Sequence, residues 1–210
     1  MIINDSFPKF DLPIDFIADD SITGDILNYY SNFPCKIKAG VFVLCTEGMV
    51  KATINLLEIV IRKNDFVIVL PNSFIQIHEV SSDTRISFAG FSSDFMLSGN
   101  YVEILLDSMP MILNSPVISL QDDIAGLYRN VYLLLIRAYT LPHSLENKDI
   151  IRSILAIFLQ GTKELYKRYG RKLDEPLRRE QELYRQFIQL LMAHYTSEHE
   201  VAFYAEKCGV

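Results

Sequence analysis

Between residues 36 and 91 apolar side chains recur at every second position in short runs, and each run ends in a turn signal. Ile37, Ala39, Val41, Val43 and Cys45 form the first such series, starting between Lys36 and Lys38. Glu47-Gly48 marks a turn, after which Val50, Ala52 and Ile54 alternate with Lys51, Thr53 and Asn55, so the segment predicts a hairpin with one wet face. Residues 58–62 predict another strand, followed by the turn Lys63-Asn64-Asp65. The continuous apolar run 66–70 then ends at Pro71-Asn72-Ser73. Two further strands, 74–80 and 85–91, flank the polar Ser81-Ser82-Asp83. Many short strands with no helix between them predict an antiparallel barrel or sandwich.

Beyond the strands the apolar period lengthens to that of a helix. Residues 94–98 and 101–109 predict short helices, and Pro116 breaks the chain. Ser119 is placed to cap a long helix reaching to about residue 140, with Asp122 and Asp123 in its first turn, where carboxylates favour the helix dipole. Its apolar positions are Ile124, Leu127, Tyr128, Val131, Leu134, Leu135 and Tyr139, and Pro142 ends it. A second helix, 148–169, carries Ile151, Ile154, Leu155, Phe158, Leu159, Leu165 and Tyr166, with Gly170 as its stop. The predicted helical hairpin has more apolar surface than one contact with a barrel needs. Leu127, Val131, Leu134 and Leu135 are therefore candidates for a two-fold dimer interface as well as for packing.

Residues 171–181, RKLDEPLRREQ, are charged and hold Pro176, the composition of a linker. After it, Phe187, Leu190, Leu191 and Tyr195 fall at helical spacing, and a second short helix, 201–207, places Val201, Tyr204 and Ala205 on one face. Gly209 stands where this helix turns. A helix-turn-helix reads bases with the helix after its turn, and that helix is not among these residues.

Composition narrows the functional classes. The chain has 210 residues, half of them hydrophobic, which is enough for one good-sized core and a helical appendage. The net charge of -6 has the wrong sign for autonomous DNA binding, because phosphate affinity comes from Lys and Arg. Residues 1–161 hold 11 basic and 18 acidic side chains, against 9 and 8 in 162–210, so the acidity belongs to the first part. Cys35, Cys45 and Cys208 are odd in number and show no C-x-x-C spacing, which predicts neither a disulfide framework nor a zinc cluster. Without a signal peptide or a membrane-length apolar run, the expectation is a soluble cytoplasmic protein.

Few residues carry candidate chemistry. A metal-dependent enzymatic site converges several imidazoles on one ion, whereas the strand region here holds only His78; no metal and no cofactor are expected. His78 and Gln76 share one strand face and are candidate ligand-contacting residues, set against a solvated outer face shared with Lys51. Cys45, with no Cys-His or G-x-S-x-G signature beside it, is expected to be a buried small hydrophobe, and no catalytic residue is assigned. Lys163, Lys167, Arg168, Arg171, Lys172, Arg178 and Arg179 flank the linker, either as a solvated helix end or as DNA-backbone contacts.

Four motifs in one order give a resemblance. N-D-F-V-I-V-L-P-N-S at 64–73 resembles the G-D-x-x-x-x-x-P-G element of cupin barrels, with Asn64 replacing Gly in a turn that tolerates it. With C-T-E-G at 45–48, G-F-S-S-D-F at 90–95 and V-x-x-Y-A-E-x-x-G-V at 201–210, the chain resembles AraC-type transcription regulators from about Cys35 onward. The resemblance implies a mixed β plus α fold: a cupin-like antiparallel β-barrel that senses an effector, a helical dimerisation hairpin, and the start of a helix-turn-helix domain. The corresponding divisions are 1–115, 116–170, a linker at 171–181, and 182–210. It further implies a homodimer, DNA as partner of the longer regulator but not of these residues alone, a small-molecule effector, and no membrane partner. The alternatives are a stand-alone metal-free cupin that binds or converts a small molecule, and a dimerisation module without a ligand.

Overall fold

The computed structural model describes residues 9–10, 12–29, 31, 33–97, 108–109, 111–140, 148–169, 179, 183, 186–187, 190–191, 194 and 197–210. In chain order the elements are β1 (Lys9–Phe10), β2 (Phe16–Thr23), α1 (Gly24–Tyr29), β3 (Cys35–Ile37), β4 (Gly40–Glu47), β5 (Met49–Ile54), β6 (Leu57–Arg62), β7 (Asp65–Val69), β8 (Ser73–Val80), β9 (Arg85–Phe91), α2 (Ser93–Leu97), β10 (Val117–Ser119), α3 (Asp122–Thr140), α4 (Lys148–Tyr169) and α5 (Val201–Cys208). The strands form two five-stranded sheets. The first has the order β1-β3-β8-β5-β6 and the second β10-β7-β4-β9-β2, antiparallel throughout except for the β1/β3 pair. The architecture is thus mixed β plus α, as expected. In one respect the expectation is corrected, because among the described residues the two sheets do not close into a barrel.

The predicted 36–54 hairpin is also corrected. β4 pairs with β7 and β9, while β5 pairs with β6 and β8, so the chain crosses from one sheet to the other at Gly48 instead of folding back. Gly48 has φ 79°, and a Cβ there would lie 2.6 Å from the Thr84 backbone. Only glycine makes this crossing without strain. The reason β4 sits centrally is that both its faces are apolar: Val41, Val43 and Cys45 on one, Phe42 and Leu44 on the other.

Those two faces contribute to two separate cores. Between the sheets lie Cys45, Val50, Ala52, Ile54, Ile61, Val67, Val69 and Ile86, small aliphatic side chains drawn from both sheets. On the other side of the second sheet, Phe42, Phe66, Ile68 and Phe91 meet Tyr128, Tyr132 and Leu135 of α3 and Leu155, Phe158 and Leu159 of α4. Phe158 lies at the centre, with ring centroids 5.2 Å from both Phe42 and Tyr132 and 6.1 Å from Tyr128.

Local chemistry fixes the connections. Asn64 and Asn72 take φ 68° and 67° in the two turns that bracket β7, the left-handed role expected of Asn. Asn64 also donates from Nδ2 to the Asp122 carboxylate at 2.5 Å, tying this turn to the start of α3. Ser119 does not cap α3. It belongs to β10, and its hydroxyl donates to the buried Asp65 carboxylate at 2.6 Å while the Arg62 N–H donates to the other oxygen at 2.7 Å. β10 pairs with β7, so the segment beginning at residue 116 opens with a strand of the second sheet before it becomes helical. The expected short helix at 101–109 and the linker at 171–181 lie almost wholly outside the described residues.

Candidate functional site

The inter-sheet interior is filled by its aliphatic side chains, and Gln76 and His78 do not face it. In β8 the inward residues are Ile75 and Ile77, packed with Ala52 and Ile54 of β5. Gln76 pairs across from Thr53 on the opposite face, and His78 Nε2 lies 2.7 Å from Thr53 Oγ1. An irregularity between Lys51 and Ala52 leaves His78 beside Glu79, which bridges Lys51. The two candidate ligand residues thus stand on the outer, solvated face together with Lys51. Farther along the same strand, Lys36 Nζ lies 5.7 Å from the Phe74 ring centroid. No group of three His, Cys, Asp or Glu side chains is placed to hold a metal ion among the described residues.

Cys45 is fully buried, and burial pushes its thiol up to about 11, with the Asp65 charge adding to the effect and a bond to the Glu47 carbonyl opposing it. That is the reverse of nucleophile activation. Glu47, in the crossing at Gly48, ion-pairs with Arg85 at 3.5 Å, an exposed contact that adds little.

The helical candidates separate into two groups. Leu135 is fully buried under α3, in the core with the second sheet, so it is not available to a partner; this corrects its place in the expected interface. Val131 is partly buried against the same core. Leu127 and Leu134, two turns apart on α3, are 59 % and 51 % exposed. Ile150 and Ile157, equally spaced on α4, are 38 % and 54 % exposed. Ile157 stands one turn before Gly161, on the flank of α4 that Tyr128 of α3 touches. The helical layer therefore has a second apolar surface, turned away from the sheet, with Leu127, Leu134 and Ile157 as its most exposed members.

At the end of the chain α5 forms as expected and Gly209 closes it at φ 74°, its N–H reaching back to the last turn. Tyr204 is buried, its ring edge-on to Phe187 and its hydroxyl donating to the Glu198 carbonyl at 2.7 Å. Ala205 is half-buried, but Val201 is 78 % exposed and contributes nothing to a core here.

No family model and no curated protein matches the sequence. Solved structures do. ToxT from Vibrio cholerae is similar at 11 % identity over 94 % of this chain and 72 % of that one, with a TM-score of 0.39. The AraC-like transcriptional activator CuxR is similar at 12 % identity over 83 % and 58 %, TM-score 0.43. An ethanolamine utilization protein Q from Salmonella typhimurium is similar at 13 % identity over 37 % and 55 %, TM-score 0.26. The structural neighbours are AraC-family regulators over most of the chain, together with cupin-like proteins over a smaller part.

Among the described residues, four buried side-chain polar atoms lack a hydrogen-bond partner: the hydroxyls of Ser108, Tyr128 and Tyr132, and Arg152 Nε. Both tyrosines lie one turn apart on the inward face of α3, and burial raises the titration of each well above the ordinary tyrosine value. Sequence reading placed Tyr128 in the apolar stripe and passed over Tyr132. Its position four residues after Tyr128, on the same face, was the available signal. No described helix is long and apolar enough to cross a membrane.

Proposed function

We propose that this chain is the effector-sensing and dimerising part of an AraC-type transcription regulator, with α3 and α4 forming the homodimer contact. The observation that carries the reading is the outward stripe Leu127, Leu134, Ile150 and Ile157 on helices whose opposite face is already satisfied by the second sheet. Water-exposed Leu and Ile at two-turn spacing on paired helices suit a self-complementary two-fold interface. Burying such side chains stabilises an interface by roughly 1.5–3 kcal/mol each when they become fully covered. The co-linear motifs at 45–48, 64–73 and 201–210 support the family part of the proposal. The net charge of -6 lacks the surplus of Lys and Arg that phosphate affinity needs, so residues 1–210 are expected to bind no DNA sequence specifically. No catalytic residue is assigned.

Sedimentation over a range of concentrations tests the interface. The chain should associate as a dimer with a Tm that rises with concentration, and Leu127→Glu with Leu134→Glu should make it monomeric while it still unfolds cooperatively at a Tm independent of concentration, since both side chains lie outside the core. A chain that stays monomeric at all accessible concentrations, or a dimer untouched by the double substitution, would sink the assignment. Fluorescence anisotropy with labelled promoter fragments tests the second point, and tight, salt-resistant, sequence-selective binding would contradict it.

A further inference from the structure

We infer that the joint between the second sheet and the α3–α4 layer is the effector site, and that its occupant is a neutral, mainly apolar molecule with one hydrogen-bond acceptor. The inference rests on the regulator reading above and gives it a location. It starts from Tyr128 and Tyr132, whose hydroxyls are buried in an aromatic and aliphatic environment with no acceptor. A phenyl ring would fill both positions without the desolvation cost of an unsatisfied O–H, which is about 1–3 kcal/mol per group. Two such donors one turn apart on a single helix face form a ready pair for one acceptor. No described charged group joins them: the Arg152 guanidinium is stacked 5.8 Å from the Phe95 ring and bound to Asp149 at 2.9 Å. A carboxylate would enter at the full cost of burying a charge, so the head group is a carbonyl or ether oxygen.

A cleft of about 10 Å³, room for roughly one water, opens between Ile54, Leu57 and Ser73 of the first sheet and Ile68, Leu70, Ile112 and Pro116; neither tyrosine lines it. Ile68, Leu70 and Ile112 belong to the same core as the two tyrosines. Ile68 follows Phe66 by two residues on one face of β7, and the Phe66 ring lies 4.7 Å from that of Tyr128. The segment 112–116 forms the other wall. Pro116 accepts from the Ile68 N–H at 2.9 Å, and Ser115 accepts from the Tyr166 hydroxyl. Movement of this wall would admit an apolar body between β7 and α3 and bring its acceptor to the hydroxyls. Because α3 carries the tyrosines on one face and Leu127 and Leu134 on another, an occupant would act directly on the proposed dimer helix.

The test uses a matched pair of probes, acetophenone, which has a carbonyl acceptor, and ethylbenzene, which has nearly the same shape without one. Thermal shift and calorimetry are run on the 210-residue protein and on Tyr128→Phe/Tyr132→Phe. Acetophenone should raise the Tm of the unsubstituted protein and bind the double variant about tenfold more weakly, the loss expected for one or two hydrogen bonds. Ethylbenzene should bind both proteins equally. Equal affinity of acetophenone for both proteins, or no binding, overturns the inference. Intermolecular NMR contacts between acetophenone and the Phe158 and Tyr132 rings of the unsubstituted protein provide a check independent of the variant, and contacts elsewhere also overturn it. Sedimentation of the same samples reports the dimer separately, so a failed effector site leaves the dimer assignment standing.

Discussion

The two faces of the second sheet are built from different materials. Toward the first sheet it presents Val41, Val43, Cys45, Val67, Val69 and Ile86; toward the helices it presents Phe42, Phe66, Ile68 and Phe91. Short β-branched side chains have few rotamers and interdigitate into a rigid filling. Large rings on the other side meet two helices, and the four unpartnered buried polar atoms among the described residues lie outside the inter-sheet core, two of them in the helix–sheet core. The same five strands thus support a scaffold on one side and an adaptable joint on the other. In the regulator reading proposed above, the aliphatic side is what stays still while the aromatic side shifts.

The comparison is broken most severely at Phe158, whose ring lies within 6.5 Å, centroid to centroid, of five other rings. Phe158→Ala should cost about 3–5 kcal/mol in urea unfolding, with loss of near-ultraviolet dichroism from the aromatic joint. On the other side, Ile54→Ala should cost about 2–4 kcal/mol while leaving that dichroism intact in the folded protein. If Ile54→Ala also abolished the aromatic signal, the two cores would not be independent.

How far the sequence revealed this division depends on the element. β9 is found at 85–91 and α4 at 148–169, where the alternation and the helical period are strong. β2 escaped because Asp19-Asp20-Ser21 interrupts the apolar alternation, and the structure accommodates those residues at an irregularity between Asp19 and Ile22. β10 escaped because it has three residues and follows Pro116. Pairing was illegible for another reason: alternation in residues 36–54 identifies which side chains turn inward but not which sheet receives them. On α3, neighbouring Leu134 and Leu135 both fit a broad apolar stripe, yet one is half exposed and the other fully buried. The orphan hydroxyl of Tyr132 depends on what α4 and the sheet fail to offer it, which no local pattern contains.

Gly161 sharpens the description of the joint. A glycine in the middle of α4 is unfavourable by about 1 kcal/mol relative to alanine. The Tyr128 hydroxyl occupies the space where a Cβ would stand, whereas the ring carbon Cζ is 3.5 Å away, an ordinary contact. Gly161→Ala alone should therefore destabilise by about 1–3 kcal/mol through overpacking. Combined with Tyr128→Phe, the same substitution should become stabilising by up to about 1 kcal/mol, as the clash disappears and the propensity gain remains. A double-mutant cycle by chemical denaturation measures this, and additivity of the two substitutions would refute the packing argument.

Tyr132→Phe isolates the cost of an orphan donor. It removes one oxygen from a fully buried site without changing the ring that meets Phe158 edge-on. Stability should rise by about 1 kcal/mol, seen as a higher urea midpoint with an unchanged slope. A loss of stability would mean that the hydroxyl has an acceptor in solution, and the contrast between the two cores would weaken accordingly.

The smallest expected effect concerns the scaffold, where strain is confined to a turn. Leu56, at the tip of the β5–β6 hairpin, takes φ 73° directly after Asn55 at 47°, the geometry of a turn that favours Asn-Gly. A leucine in this left-handed region costs about 1–2 kcal/mol, and at 61 % exposure it recovers little by burial. Glycine removes the strain but loses more entropy on folding, about 0.5–1 kcal/mol. Leu56→Gly should then stabilise by about 0.5 kcal/mol, because the turn itself is already held by Asn55, whose side chain accepts from the Phe74 N–H at 2.8 Å and donates to Ser73 at 3.0 Å. Chemical denaturation resolves a change of this size when both proteins share one slope. A clear destabilisation would mean that the Leu56 side chain contributes packing greater than the strain it stores, and the scaffold would then extend to the hairpin tip.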